Sequence, residues 1–180
     1  DNSETLDYSL LYPDQTNALH EIKLFLEDPG QNIFILQGTA NSGKSFLIPY
    51  IQDLAFKIGI QEAELFAHSK RVANNLMSKI GVEKVNSIYS YIYGGKTLET
   101  GSDYEDVFDD KDSQVIASVE KVLLKKSDNS ENALFIVDEA QLISDSFYKS
   151  LDLIFGSGCL LKDFIGFTDF KNSKRKIIFI

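Results

Sequence analysis

The sequence has very little cysteine, histidine and tryptophan, and these shortages exclude several kinds of site. Among 180 residues there are one cysteine, two histidines and no tryptophan. A single cysteine, Cys159, excludes an internal disulfide and a zinc site built from cysteines, and we expect it to be a small packed residue. His20 and His68 lack the spacing of metal ligands, so we assign neither a catalytic role. The low cysteine content fits a reducing compartment, and we expect a cytoplasmic protein.

Long apolar runs and an excess of positive charge are also lacking. No apolar run approaches the roughly 20 residues of a membrane span, and the first ten residues do not resemble a secretory signal, so no membrane partner is expected. The net charge of -9 argues against a protein whose whole surface attracts nucleic acid, but it does not exclude a small basic face. Seven carboxylates and one lysine lie within residues 99–112, a segment that we expect to be solvated.

What the sequence does contain is an alternation of strand-like and helix-like segments. Nearly continuous apolar runs predict buried parallel strands at residues 33–37, 133–137 and 176–180, with a weaker strand at 62–67. Four helices are predicted between them, at residues 14–26, 44–58, 70–80 and 144–155. This alternation predicts one α/β domain over residues 1–180, with a mostly parallel central sheet and helices on both faces.

Three local features qualify this picture. Asp14 is available to cap the first helix, and Pro49 is expected to bend the second helix because it removes a hydrogen bond inside it. Residues 94–132 are too long for a plain connection, so we predict an insertion within the domain. A helix is expected inside the insertion, at residues 113–124.

A glycine-rich loop follows the first predicted strand and precedes the second predicted helix. The stretch FILQGTANSGKSFLI contains the pattern G-x-x-x-x-G-K-[ST]. Glycines let the backbone N–H groups point inward, and the helix N-terminus favours phosphate, so we interpret the loop as a phosphate site rather than a tight turn. Lys44 is expected to reach the β- and γ-phosphates, and Ser45 to bind Mg²⁺. The predicted phosphate-binding residues are Gly38, Thr39, Ala40, Asn41, Ser42, Gly43, Lys44 and Ser45.

A pair of acids follows another predicted strand in the stretch LFIVDEAQ. Asp138 is placed at the carboxyl end of that strand, where α/β sheets bind ligands, and we assign it to Mg²⁺, directly or through water. Glu139 would orient or deprotonate the attacking water. The alternative is that the pair only caps the following helix. With the phosphate loop, these acids predict a nucleoside triphosphate site.

Together with the upstream stretch LYPDQTNAL, these motifs resemble the superfamily 1 helicases, especially the RecD-like DNA helicases. The resemblance spans nearly the whole chain and implies a RecA-like P-loop fold that binds ATP and Mg²⁺. In that family a glutamine before the loop reads the adenine edge, which implies this role for Gln15. The stretch DEAQ resembles the family's second motif, so Gln141 is expected to couple the γ-phosphate to movement.

Two further stretches resemble segments of the family that touch DNA. AHSKRVANNL implies that Ser69, Lys70 and Arg71 contact the backbone of single-stranded DNA, and the alternative is an ordinary helix start. VNSIYSYIYG resembles a T-I-H motif in which Tyr89 replaces the histidine. The tyrosines at positions 89, 91 and 93 either stack on bases or pack in the core, and the sequence leaves both open.

The resemblance implies the first motor domain of a DNA helicase, truncated before the family's third motif, which would act with a second motor domain of the same full-length chain. Such a domain alone is expected to hydrolyse ATP slowly, because the arginines of the second domain complete the site. Two alternatives stay open. One is a P-loop ATPase switch or assembly protein that does not translocate on nucleic acid, and the other is a nucleotide-binding module without turnover.

Overall fold

A computed structural model describes residues 6–99, 119–150 and 153–180. The strands are β1 (Ile33–Ile35), β2 (Ala63–Ala67), β3 (Asn86–Ser87), β4 (Tyr93–Glu99), β5 (Val119–Leu124), β6 (Leu134–Val137), β7 (Lys149–Ser150), β8 (Leu153–Phe155) and β9 (Lys176–Phe179). The helices are α1 (Pro13–Glu27), α2 (Ile48–Lys57), α3 (Lys70–Ile80), α4 (Ile88–Ile92) and α5 (Leu160–Thr168). None of these helices is both long and apolar enough to cross a membrane.

The central sheet has five parallel strands in the order β1-β9-β6-β2-β3. All four residues of β6 are buried, and they alternate between two apolar clusters on opposite faces of the sheet. Buried residues of α1, α2 and α3 belong to one cluster, and those of α4 and α5 belong to the other. The predicted α/β fold with a parallel sheet between helices is therefore confirmed.

A second sheet, in the order β4-β5-β8-β7, corrects two helix predictions. The expected helix at 113–124 is wrong where the structure describes it, because β5 occupies its second half, and residues 113–118 lie outside the described part. The expected helix at 144–155 is also wrong, since β7 and β8 form there. Both segments pair with strands distant in sequence, and this pairing overrides their local helical pattern. The predicted insertion at 94–132 supplies β4 and β5, and most of its acidic segment lies outside the described residues.

The first predicted strand is shorter and less buried than its sequence indicates. Only residues 33–35 form β1, which is an edge strand among the described residues. Ile33 is 37% exposed and Ile35 is 62% exposed, so the prediction of a buried strand at 33–37 is wrong on that face. Phe34 and Leu36 point the other way and pack against the apolar cluster of α1 and α2.

Pro49 and Asp14 do not have their predicted roles. The helix expected from residue 44 begins with a short 3-10 turn at Ser45–Leu47, and α2 starts only at Ile48, so Pro49 lies in its first turn. An N–H group in the first turn has no partner within the helix, so proline at this position removes no intrahelical hydrogen bond. Asp14 lies in the first turn of α1, and the residue at the N-cap is Tyr12.

The aromatic packing of β2 generates a stability prediction. Phe66 is fully buried and its ring contacts those of Phe135, Phe164 and Tyr91. We expect Phe66→Ala to lower the free energy of unfolding by about 3–5 kcal/mol, because it removes the ring and leaves a cavity. Urea denaturation measures this loss. Phe56→Ala is the matched control, since Phe56 is 54% exposed. Equal losses for the two variants would contradict the prediction.

Candidate functional site

The predicted phosphate loop follows β1 and is shaped by backbone that favours glycine. Gly43 has φ +83°, and Asn41 also lies in the left-handed region with φ +61°. The Lys44 side chain folds back over the loop, where Nζ donates hydrogen bonds to the carbonyl oxygens of Gly38 (2.9 Å) and Thr39 (3.0 Å). The ammonium group is thus held at the mouth of the loop by neutral acceptors. Phosphate oxygens, which carry charge, make stronger hydrogen bonds with such a donor.

Ser45 and Asp138 meet although they lie in different motifs. Ser45 Oγ is 3.1 Å from each carboxylate oxygen of Asp138 and donates to that group. Asp138 directly follows β6, is only 4% exposed, and donates its backbone N–H to the carbonyl of Phe66 (3.0 Å). Burial raises the pKa of the Asp138 carboxyl group, and the charge of Glu139 raises it further. The Ser45 hydroxyl and the Lys79 ammonium group lower it.

Lys79 is a residue of this site that the sequence motifs did not indicate. It lies in the last turn of α3, and its Nζ donates to Ser45 Oγ over 3.3 Å. Its charge also acts on Asp138. Lys79 belongs to no motif around the loop or the acids, and only tertiary packing brings the end of α3 there. The amphipathic pattern of α3 was the only sequence signal, and it does not distinguish Lys79 from other polar residues.

Glu139 and Gln141 line one cavity together with the phosphate loop and Asp138. This cavity has a volume of about 760 Å³ and is lined by the loop, by Lys79, by residues 138–141 and by the end of β9. Glu139 adopts the left-handed conformation with φ +52°, and its carboxylate accepts a hydrogen bond from Gln141 Nε2. A non-glycine residue in this region is strained, and such strain is often found at functional sites. Two of the three described residues of this kind, Asn41 and Glu139, line this cavity.

Gln15 lies against the phosphate loop. It is 9% exposed, and its Oε1 accepts a hydrogen bond from the backbone N–H of Tyr12 (3.0 Å), which fixes the side chain at the start of α1. A Cβ atom added at Gly43 would overlap Gln15 Nε2, so the glutamine side chain packs directly on this glycine, whose positive φ also disfavours other residues. The structure therefore connects the upstream motif to the loop. Recognition of adenine by Gln15 stays a prediction.

The predicted DNA contacts lie at the other end of α3 from Lys79. Ser69 caps this helix, with Oγ accepting from the backbone N–H of Val72 (3.5 Å), and the side chains of Lys70 and Arg71 are exposed. Tyr91 packs its ring against Phe66, and its hydroxyl accepts a hydrogen bond from Asn129 Nδ2 (2.8 Å). Tyr91 is therefore a packing residue.

The residues around Ser45 fit a metal ion that is held mainly by phosphate. No group of three or more histidine, cysteine, aspartate or glutamate side chains that could hold a metal ion gathers within the described ranges. Mg²⁺ in phosphate sites typically uses one or two protein ligands and takes its other ligands from phosphate and water. A buried hydroxyl group and a buried carboxylate in contact supply such a pair.

Comparisons with protein-family models and with curated proteins found no match to this chain. The functional interpretation therefore depends on the arrangement of the residues themselves.

The raised pKa of Asp138 predicts a pH-dependent stability. A carboxyl group with a higher pKa in the folded state stabilises the fold most below its unfolded pKa, near 3.8, and this contribution is lost as the pH rises through the folded value. We expect Asp138→Asn to become more stable relative to the wild type from acid to neutral pH. Urea denaturation across this range measures the difference. Asp145→Asn, at an exposed position, is the control, and a pH-independent difference for Asp138→Asn would contradict the prediction.

Proposed function

We propose that this chain is a RecA-like ATP-binding motor domain of a superfamily 1 DNA helicase, which couples hydrolysis of Mg²⁺-bound ATP to translocation on single-stranded DNA and to unwinding. One observation carries the proposal: the contact between Ser45 and the buried Asp138, in a cavity also lined by Lys44 and Glu139. Two motifs, distant in sequence and each incomplete alone, converge as a triphosphate site requires.

In this proposal, the residues of the loop motif and of the DEAQ motif that line the cavity have distinct chemical roles. The loop amides and Lys44 bind and orient the phosphates, and Ser45 and Asp138 hold Mg²⁺. When bound, Mg²⁺ neutralises charge on the phosphate oxygens. Glu139 orients the attacking water and accepts its proton. Gln141 donates to the Glu139 carboxylate, and it can exchange this contact for one to the γ-phosphate.

The nucleic-acid part of the proposal rests on the position of α3. This helix begins directly after the carboxyl end of β2, with Lys70 and Arg71 exposed, and its last turn reaches the cavity through Lys79. The exposed cations at the start of this helix therefore lie one helix length from the proposed phosphate site. A P-loop switch or assembly ATPase would use the same cavity without binding nucleic acid through Lys70 and Arg71, and no observation favours it.

Binding of nucleotide is the first prediction of this proposal. ATP with Mg²⁺ at about 100 times its Kd stabilises the fold by about 2.7 kcal/mol, which raises the Tm by about 5–10 °C for a chain of this size. Differential scanning fluorimetry measures this shift. Lys44→Ala should remove most of it, whereas Lys162→Ala, an exposed position on α5, should retain it. No shift for the wild type would refute the proposal.

Hydrolysis is the second prediction, measured as phosphate release in single-turnover experiments on the full-length protein that contains this domain, because the domain alone is expected to hydrolyse ATP slowly. We expect Glu139→Gln to lower the rate by about 100-fold or more, because the amide cannot accept the proton of the attacking water, while the thermal shift with ATP is retained. Asp145→Asn is the control for loss of an exposed acid. An unchanged rate in Glu139→Gln would favour a nucleotide-binding module without turnover.

The same assay separates a helicase from a switch. Single-stranded DNA should increase the hydrolysis rate of the full-length protein that contains this domain. Equal rates with and without DNA would favour the switch or assembly ATPase.

A further inference from the structure

Lys79 brings a second positive charge to the candidate site from outside both motifs. It lies in the last turn of α3, which is followed by Gly81 in the left-handed conformation (φ +71°). The backbone N–H of Gly81 donates to the carbonyl oxygen of Met77 (2.9 Å), so the helix end that carries Lys79 is fixed. The Lys79 side chain therefore reaches the cavity of the phosphate loop from a rigid element.

The ammonium group of Lys79 does not bind the end of its own helix. Lysines in a last helical turn can bind the carbonyl groups there, whose partial charge is negative. Lys79 Nζ instead donates to Ser45 Oγ over 3.3 Å. Among the described residues, this hydroxyl is its only hydrogen-bond acceptor. The positive charge is thus held by the cavity rather than by the helix.

Lys79 is also the cation that acts on the buried carboxylate of Asp138. Burial raises the pKa of this group, whereas the Ser45 hydroxyl and the charge of Lys79 lower it. The loop lysine does not share this role, because Lys44 Nζ is held by the carbonyl oxygens of Gly38 and Thr39. Ser45 Oγ accepts from Lys79 and donates to Asp138, so the hydroxyl lies between a cation and an anion.

The same hydroxyl and carboxylate form the pair that fits Mg²⁺. Two cations beside one hydroxyl repel each other, so a metal ion at Ser45 and the ammonium group of Lys79 compete for this position. Lys79 is exposed along α3, and a lysine side chain is long and flexible. It can therefore leave Ser45 without any change in the backbone.

We propose that Lys79 is a positioning residue whose ammonium group stands in for Mg²⁺ at Ser45 and Asp138, and gives way when the metal binds. This inference rests on the proposed function, since it specifies how the proposed triphosphate site keeps its charge balanced before the metal arrives. A lysine that only adds a permanent contact to the phosphates would strengthen ATP binding equally with and without Mg²⁺. A stand-in cation matters most when Mg²⁺ is absent.

The test measures the Kd of ATP by calorimetry in EDTA and in excess Mg²⁺, and takes the ratio of the two values. Lys79→Met should raise this ratio about 10-fold, because loss of a unit charge beside the phosphates weakens metal-free binding more than metal-bound binding. Lys79→Arg keeps the charge and should keep the ratio near that of the wild type. Lys162→Met, at an exposed position on α5, is the matched control.

Urea denaturation at neutral pH gives a second readout that needs no nucleotide. Lys79→Met should lower the midpoint urea concentration of the wild type, because the buried carboxylate loses the cation that favours its charged form. The same substitution should have little effect in an Asp138→Asn background, where that charge is absent. Equal losses in both backgrounds would show that Lys79 acts on stability through packing, and would overturn the inference.

The binding experiment also separates failure of this inference from failure of the proposed function. An unchanged or lower ratio in Lys79→Met would overturn the inference, because a structural role alters both Kd values by the same factor. A wild type that binds ATP only with Mg²⁺ would overturn it as well, since no group would then stand in for the metal. Both results leave the proposed function in place. A wild type that binds ATP in neither condition would refute both.

Discussion

The parallel order of β1, β9 and β6 is the constraint on which the candidate site depends. Parallel strands end at the same edge of a sheet, so the phosphate loop after β1 and the acids after β6 must face the same side. One strand, β9, separates them, which sets a distance of about 10 Å between their ends. The end of β9 therefore forms the floor of the cavity, and the contact between Ser45 and Asp138 spans the gap above it. A different strand order would separate the two motifs.

Electrostatics inside the cavity favour a ligand that carries negative charge and a metal ion. Asp138 is buried, and its charged form is favoured by the Ser45 hydroxyl, the Lys79 ammonium group and the backbone N–H of Glu139. Lys44 and Lys79 are meanwhile held by neutral oxygen atoms of Gly38, Thr39 and Ser45. Both cations thus make weaker hydrogen bonds than a phosphate offers. The proposed ligand, a phosphate chain with Mg²⁺, would therefore give both cations and the buried carboxylate stronger partners than they have in this structure.

Elements whose burial pattern is visible within a short stretch of sequence were predicted correctly. Segments whose structure depends on pairing with a strand distant in sequence were not. The run at β6 is buried on both faces, and α3 has an N-cap serine and a terminal glycine, so both were predicted nearly to the residue. The segment 144–155 has apolar residues at helical spacing, but pairing of β8 with β5 decides its structure. For the candidate site, the loop motif and the acid motif indicated residues that line the same cavity. Lys79 could not be found from a motif, because only the packing of α3 brings it to Ser45.

Helix α3 connects the candidate site physically to the exposed cations at its own start. Its N-terminus is capped by Ser69, next to Lys70 and Arg71, and Lys79 in its last turn donates to Ser45. A helix of eleven residues is about 16 Å long and moves largely as one body, because each turn is hydrogen-bonded to the next. Any ligand that draws Lys79 away from Ser45 therefore acts on the same helix that begins with the exposed Lys70 and Arg71. Under the proposed function, this one helix is the path that would couple phosphate chemistry to a bound strand.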